Sequence, residues 1–583
     1  MLDKLAGEGV LFENAFTVAG VCAPNRSSII TGMYASTLGT HHMRGGGEGV
    51  KRSMKPHLPE TVKCFSEYLR EAGYYCTNNY KEDYNFVTPD KAWDESSRNA
   101  HWKNRPRGAP FFAVFNYTGT HEGSIRLDEE KRAERTQRLK PHQRQNREAF
   151  ELPPYYPDTK VTREYWARYH ELITALDYWI EDRLKELDDA GLRDETIVFF
   201  WSDHGVGMPR AKRWIYDSGT HIPLIVRIPE KFRQKRQGTP GSKDDQFVSS
   251  LDFAPAVLNL VGLLVPEYMQ GRPFLGPNLP PERQYVFSIR DRMDERYDLV
   301  RSVRDKRYRY VINYMSYKPY YQYIQSAEQG PVMKEIRRLE QEGELPETVA
   351  LFTSRRKPQE ELYDIHNDPY EIKNLAPDPE YKDILEKMRN VHLQWILEAK
   401  DLGLIPEPEI LRLEKQYGSR YAILQKTGSE DFLKRLHETA ILVGKPKADD
   451  LQNLLLLLND NNPSVRYWAL IGIGNLGNEV QGSIVEVRKL LDDSSSTIRV
   501  AAAEALCKLG EVSEALPVLE MELQSDEEWI RLHAAIVIDE LGEKARSTIP
   551  FLHEALNDQD NKYVVRVANH AINNLLGTNN QVR

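Results

Sequence analysis

Cys22 stands in the run Val21-Cys22-Ala23-Pro24-Asn25-Arg26-Ser27-Ser28, just ahead of residues that suit a helical first turn. Amides at a helix N-terminus favour negative charge on a thiolate or on its ligand, so Cys22 is a candidate nucleophile. A lone cysteine serves equally well as a small buried hydrophobe, so the nucleophile reading needs partners. Candidate partners follow short apolar runs. Asp203 and His204 follow 196–201 after one serine and together make half a metal site, since a carboxylate and an imidazole are both common ligands. Lys81 and Asp83 follow 73–78, His121 follows 110–117, and Lys212 lies a few residues beyond the Asp-His pair.

Something must bring these positions together. The runs 73–78, 110–117, 196–201 and 222–228 read as buried strands of a largely parallel sheet. A long helical pattern over 162–187, with Ile173, Leu176, Trp179 and Ile180 on one face, would cover it. Open α/β sheets gather ligands at the C-terminal ends of their strands, where these polar residues stand.

From about 285 the texture changes to alternating aromatic and basic residues, including Tyr308, Tyr310, Tyr314, Tyr320 and Tyr321, which suggests a smaller α+β unit on antiparallel strands. Those tyrosines read either as cross-strand packing or as stacking faces for sugars. Beyond 406 strands vanish. Pro463-Ser464-Val465-Arg466, Ser496-Thr497-Ile498-Arg499, Glu528-Trp529-Ile530-Arg531 and Tyr563-Val564-Val565-Arg566 recur every 32 to 35 residues, each opening an apolar helix. The period resembles HEAT-like repeats, with an ordinary helical bundle as the other reading.

Bulk properties exclude several function classes. The 583 residues are too many for one core, and the net charge of −9 is spread along the chain, leaving neither a nucleic-acid footprint nor an acidic tail. No apolar run approaches the roughly 18–20 residues of a membrane span, and the sequence as given opens without a signal pattern. Four cysteines cannot form a disulfide framework, although Cys64 and Cys76 could pair in an oxidising compartment.

Cys22-x-Pro24-x-Arg26 followed by Ser-Ser-Ile-Ile-Thr-Gly resembles the signature of type I sulfatases, of the heparan N-sulfatase-like branch of the alkaline-phosphatase-like superfamily. The resemblance covers about residues 1 to 400 and implies an α/β fold with a mostly parallel sheet. The implied layout is a core at 1–285 and an α+β subdomain at 286–403, followed by a helical linker at 404–450 and repeats at 451–583. It further implies that Cys22 becomes formylglycine through a formylglycine-generating enzyme, hydrates, attacks sulfur through one hydroxyl and later expels sulfate through the other. Asp203 and His204, with the modified Cys22, would hold a divalent cation, Ca2+ by family habit, with Mn2+, Mg2+ or Zn2+ as alternatives. Arg26 would anchor the modified side chain, and Lys212 and Lys81 would contact sulfate. His121 would protonate the leaving group, a task that suits an imidazole. Asp83 stands where relatives carry the histidine of a Lys-x-His pair. His41, His42 and Arg44 resemble a substrate-side segment, or read as a surface loop; His221 and Asp83 complete the candidate substrate contacts.

Similar sulfatases open with a strand ending in paired acidic ligands, which the sequence as given lacks, Glu8 and Glu13 offering no evident replacement; either the given start is too far downstream, or the chain is a shortened descendant with a damaged metal site. The implied substrate is a sulfate ester or sulfamate on a sulfated carbohydrate, with a protein partner for the repeats and no nucleic acid or membrane. Family tendency is export to the periplasm or beyond. Two rivals remain: a phosphonate monoester or phosphodiester hydrolase of the same superfamily, and a catalytically impaired sulfatase-like binding protein.

Overall fold

The apolar runs that end in polar residues form strands within two residues of their expected bounds. A computed structural model of the chain describes residues 1–43, 55–234, 237–444 and 446–582. In chain order its core strands are β1 (Val10–Phe16), β2 (Tyr75–Asn79), β3 (Glu95–Ser96), β4 (Phe111–Phe115), β5 (Val198–Trp201), β6 (His221–Arg227) and β7 (Ser242–Ser249).

These strands make two sheets, ordered β5-β6-β1-β7 and β3-β2-β4. The second is parallel throughout, but β6 runs antiparallel to both β5 and β1. The expected mostly parallel sheet is thus mixed and divided. The reason is that the 202–220 segment stays at the end of the sheet where β5 finishes, so β6 sets out from that end and runs back antiparallel beside β5. The edge strands β4 and β5 face each other across an apolar cavity of about 1680 Å³, walled by Phe111, Phe115, Val198, Phe200, Trp179 and Ile180.

Two helices matter most to the core. α1 (Cys22–Thr31) is almost wholly buried, starts from extended Val21 and stops at left-handed Gly32. Its approach depends on Gly20, where an added Cβ would come within 2.0 Å of the Trp214 carbonyl oxygen. α2 (Lys160–Asp189) is the long amphipathic helix that the 162–187 pattern predicts.

The subdomain is an antiparallel sheet ordered β11-β10-β9-β8, from β8 (Val286–Arg290), β9 (Val300–Arg304), β10 (Tyr308–Asn313) and β11 (Glu360–Asp364). α3 (Lys382–Ala399) packs on it. Tyr310 and Tyr314 are interior, so packing rather than sugar stacking accounts for them.

After α4 (Glu407–Tyr417), each repeat motif opens a helix: α5 (Pro463–Leu476), α6 (Ser496–Leu509), α7 (Glu528–Leu541) and α8 (Lys562–Leu576). The recurring arginine has a structural reason. Arg466, Arg499 and Arg531 each donate to the carbonyl six residues earlier, at 2.7–2.8 Å. Each also pairs with a carboxylate lying ahead of or in the next repeat: Asp493, Glu522 and Asp558 at 2.6–2.9 Å. One side chain therefore closes its own turn and joins its neighbour, as nearest-neighbour stacking requires. Among the described residues no helix is long and apolar enough to cross a membrane.

Candidate active site

α1 delivers Cys22, with no exposed surface, to the end of the core where β2, β4 and β5 finish. The guanidinium of Arg26, one turn on, ties those ends together. Its Nε donates to Asp203 Oδ2 at 2.8 Å, its Nη1 to the Lys81 carbonyl at 3.0 Å and its Nη2 to Asn116 Oδ1 at 2.8 Å. Asn25 secures the other flank, donating from Nδ2 to the Asp203 carbonyl at 2.8 Å.

Around the Cys22 sulfur the polar groups are close. His204 Nε2 lies 3.3 Å from Sγ, while its Nδ1 faces the Gly205 carbonyl at 2.8 Å. A carbonyl only accepts, so Nδ1 carries a proton and Nε2 is the ring atom turned to the sulfur. His121 stands beside Cys22 and meets Lys212 Nζ through Nε2 at 2.9 Å. Its Nδ1 accepts from the Gly123 amide, which fixes the ring. Lys212 Nζ is also 3.3 Å from Glu122 Oε1, and Lys81 Nζ is 3.6 Å from Asp203 Oδ2.

Charge follows from this arrangement. Burial alone would push the Cys22 thiol up, but the Lys212 and Lys81 ammonium groups outweigh it and hold the pKa well below the usual thiol value. Asp203 likewise resists its burial because Arg26 and Lys81 keep it ionised. Cys22 draws the His121 pKa up, yet burial and Lys212 together bring it below the ordinary imidazole value. Two lysines and an arginine are set among the carboxylates of Asp203, Asp83 and Glu122, and the two ammonium groups that favour a thiolate at Cys22 would equally favour an oxyanion there.

A divalent cation fits one corner of it. A ligand atom each from Cys22, Asp203 and His204 lies within 4.8 Å of the others. The sulfur occupies the place of the oxygen that a hydrated formylglycine would present. Thiolate or oxygen, carboxylate and imidazole are donor types that divalent cations take, so these three residues fit such an ion.

The remaining expected contacts are not all brought together. Asp83 joins the cluster, 3.9 Å from Lys81 Nζ. His41 and His42 do not: they are buried behind α1 against the subdomain, with His42 Nδ1 accepting from the Arg292 amide. The surface-loop reading fails equally. His221 stacks on Phe16 and donates to the Glu13 carbonyl, away from the cluster. Arg44 lies outside the described residues. Glu8 pairs with Arg193 and Arg227, and Glu13 with Lys243, so neither serves the site. Sequence reasoning does not single out Asn116, Glu122 or Arg213; their only signal is adjacency to His121 and Lys212.

Comparison with known proteins accounts for the cluster. Residues 1–263 match the family model "Sulfatase", and 209–348 match "N-sulphoglucosamine sulphohydrolase, C-terminal". An ulvan-active sulfatase of Formosa agariphila is 40% identical over 447 residues, spanning 70% of this chain and 72% of that protein. The chain belongs to the sulfatase family. Human N-sulphoglucosamine sulphohydrolase is 26% identical over 458 residues, covering 69% of this sulfatase and 85% of its own length. The enzyme is therefore a sulfuric ester hydrolase, of a family that uses formylglycine and a divalent metal. Its C-terminal part matches the "HEAT repeats" model over 451–538.

Proposed function

We propose that this sulfatase removes sulfate from a sulfated glycan, with formylglycine formed at Cys22. The observation that supports this most is the placing of Cys22 within contact of His204 and His121, with Lys212, Lys81 and Arg26 around it. The sulfated-glycan reading draws on the relatives, one named for ulvan and one for N-sulphoglucosamine. Asp203 and His204, with an oxygen of the modified Cys22, are the residues that would hold the cation. Formylglycine supplies the nucleophilic oxygen, and the cation supplies positive charge against the sulfuryl oxygens.

The chain's own groups do the rest. Lys212 and Lys81 bind the sulfuryl oxygens and oppose the charge that develops on them, a contribution of several kcal/mol at preorganised sites. His121 stands beside the nucleophile's position and passes a proton to the departing sugar oxygen. Its lowered pKa makes the protonated ring a stronger acid than a free imidazole. Arg26 fixes Asp203, and Asp83 orients Lys81.

The test is mass spectrometry of the Cys22 peptide with metal analysis, after co-production with a formylglycine-generating enzyme. Hydrolysis of a sulfated oligosaccharide and of a phosphonate monoester is measured in parallel. Formylglycine, about one Ca2+, Mn2+, Mg2+ or Zn2+ per chain and faster sulfate release support the reading. Faster phosphonate hydrolysis would replace it with the rival hydrolase, and unmodified, metal-free chain with the binding protein.

A further inference from the structure

HEAT-like repeats commonly present a surface to other proteins, yet here one repeat face is spent on the catalytic half of the same chain. The contact is made with the tight turn after β8, where Met293 and Arg296 bridge and Asp294 takes a left-handed conformation, φ 50°. Arg292 in this turn has no exposed surface. Its guanidinium stacks 4.1 Å from the Trp529 ring centroid of α7 and 5.4 Å from that of Tyr563 of α8, and forks onto Glu407 of α4 at 2.7 and 3.0 Å. Arg296 pairs with Asp539 of α7, and Arg566 of α8 with Glu295. These charges are buried, so they are held only while the repeats stay docked.

The same turn reaches the site. Arg292 Nη1 donates to the Asp294 carbonyl at 2.6 Å, setting the residue whose Oδ2 accepts from Arg213 Nε at 3.3 Å. Arg213 then forks onto Glu122 at 2.8 and 2.9 Å, and Arg290 Nε holds the Arg213 carbonyl at 2.8 Å. Glu122 fixes Lys212 Nζ, which contacts His121. Each link is a charge-assisted or bidentate bond with little room to pivot. From Trp529 to His121 the contacts are contiguous, passing once through the main chain at Asp294.

We propose that the repeat domain is a positioning element for the Lys212–His121 pair, acting through Arg292, Asp294, Arg213 and Glu122. Undocking α7 and α8 frees the turn, lets Arg213 leave Glu122 and allows Lys212 to swing from His121. The repeats are then part of the catalytic unit and not only an arm for a partner. This rests on the proposed roles of Lys212 and His121, and the experiment separates the two.

The full chain, converted to formylglycine, is assayed with 4-nitrophenyl sulfate as parent, Asp294→Asn and Trp529→Leu. Hydrogen exchange of residues 206–214 is followed by mass spectrometry in parallel. Both variants are expected to speed exchange across 206–214 and to lower kcat by about tenfold with KM within about twofold, as mispositioning does. The double variant should lose little more than either single one, since both act on one chain of contacts. Arg488→Gln, on the exposed surface of the repeats and off that chain, should leave kcat unchanged. Trp529→Leu keeps the Asp294–Arg213 pair intact and carries the test if Asp294→Asn does not fold. Unchanged exchange at 206–214 in the folded variants would overturn the proposal. Faster exchange with an unchanged kcat would uphold the positioning and remove Lys212 and His121 from the chemistry.

Discussion

Arg26 Nε lies 2.8 Å from Asp203 Oδ2, on the oxygen turned away from His204, whose Nε2 is 3.8 Å from Oδ1. One carboxylate is thus divided between two tasks. Oδ2 is occupied by the guanidinium while Oδ1 stays open toward His204 and Cys22. The signature arginine thereby orients a metal-ligand candidate as well as anchoring its own helix, which no reading of the motif by spacing alone provides.

Replacing Arg26 by lysine should therefore cost far more than a charge-conserving change suggests. An ammonium cannot serve Asp203, the Lys81 carbonyl and Asn116 at once. We expect kcat/KM to fall about 100-fold or more, with the circular dichroism spectrum unchanged and metal content reduced. Retention of metal with normal kcat/KM would show that the fork does not matter.

Asn116 offers a finer test of the same fork. Its Oδ1 accepts from Arg26, and its Nδ2 donates to Asn78 Oδ1 at 2.9 Å and to the Asn79 carbonyl at 3.1 Å. Asn116→Asp keeps the acceptor but turns an oxygen onto two other oxygens. It should lower kcat/KM more than Asn116→Ala, for which a drop of about tenfold is expected. The opposite order in steady-state assays would mean that the contact with Arg26 outweighs those with β2.

The sequence makes the strand ends legible because each is an apolar run closed by a functional residue: Lys81, His121 and Asp203 sit where such runs stop. It also makes the repeats legible, because Arg466, Arg499 and Arg531 repeat both a spacing and a bond. It does not reveal direction. β6 looks like any buried strand, and nothing in its residues shows that the 202–220 segment returns at the same end of the sheet instead of crossing over it. Nor does it separate buried histidines from exposed ones. His41 and His42 sit among polar residues in sequence, but α4 and the β8 turn close over them, a contact made by residues more than 240 positions away. Asn116, Glu122 and Arg213 escape notice for the same reason, since their partners are remote in the chain.

Those buried histidines make stability depend on pH. Burial, then Arg301, lowers the His41 pKa to about 3, and burial lowers His437 to about 4. Both lie below the unfolded value of about 6.5, so the unfolded chain binds more protons than the folded one between those limits. Stability is complete above pH 6.5 and is lost as pH falls toward the folded values, at up to about 1.4 kcal/mol per pH unit for each such group. Tm should fall steadily from pH 7 to pH 5. Calorimetry in buffers of different ionisation heat should show uptake of about two or more protons on unfolding at pH 5, and His41→Gln should flatten the slope. A Tm independent of pH over that range would mean these rings reach solvent.

The arginine ladder of the repeats yields a last prediction. Glu522 is buried and its pKa is raised by burial, with Arg499 acting in the opposite direction at 2.6 Å. Arg499→Met removes the counter-charge and leaves a carboxylate inside the repeat, which should cost about 3 kcal/mol and lower the Tm of the repeat domain by several degrees. Adding Glu522→Leu removes the stranded carboxylate and should recover much of that loss, because the penalty belongs to the unpaired charge and not to the absence of the pair. Part of the cost should persist, since Arg499 Nη1 also closes its own turn on the Asp493 carbonyl at 2.8 Å. Denaturant melts of both variants decide it: equal losses in the single and double variants would place the energy in that turn bond and not in the link to Glu522.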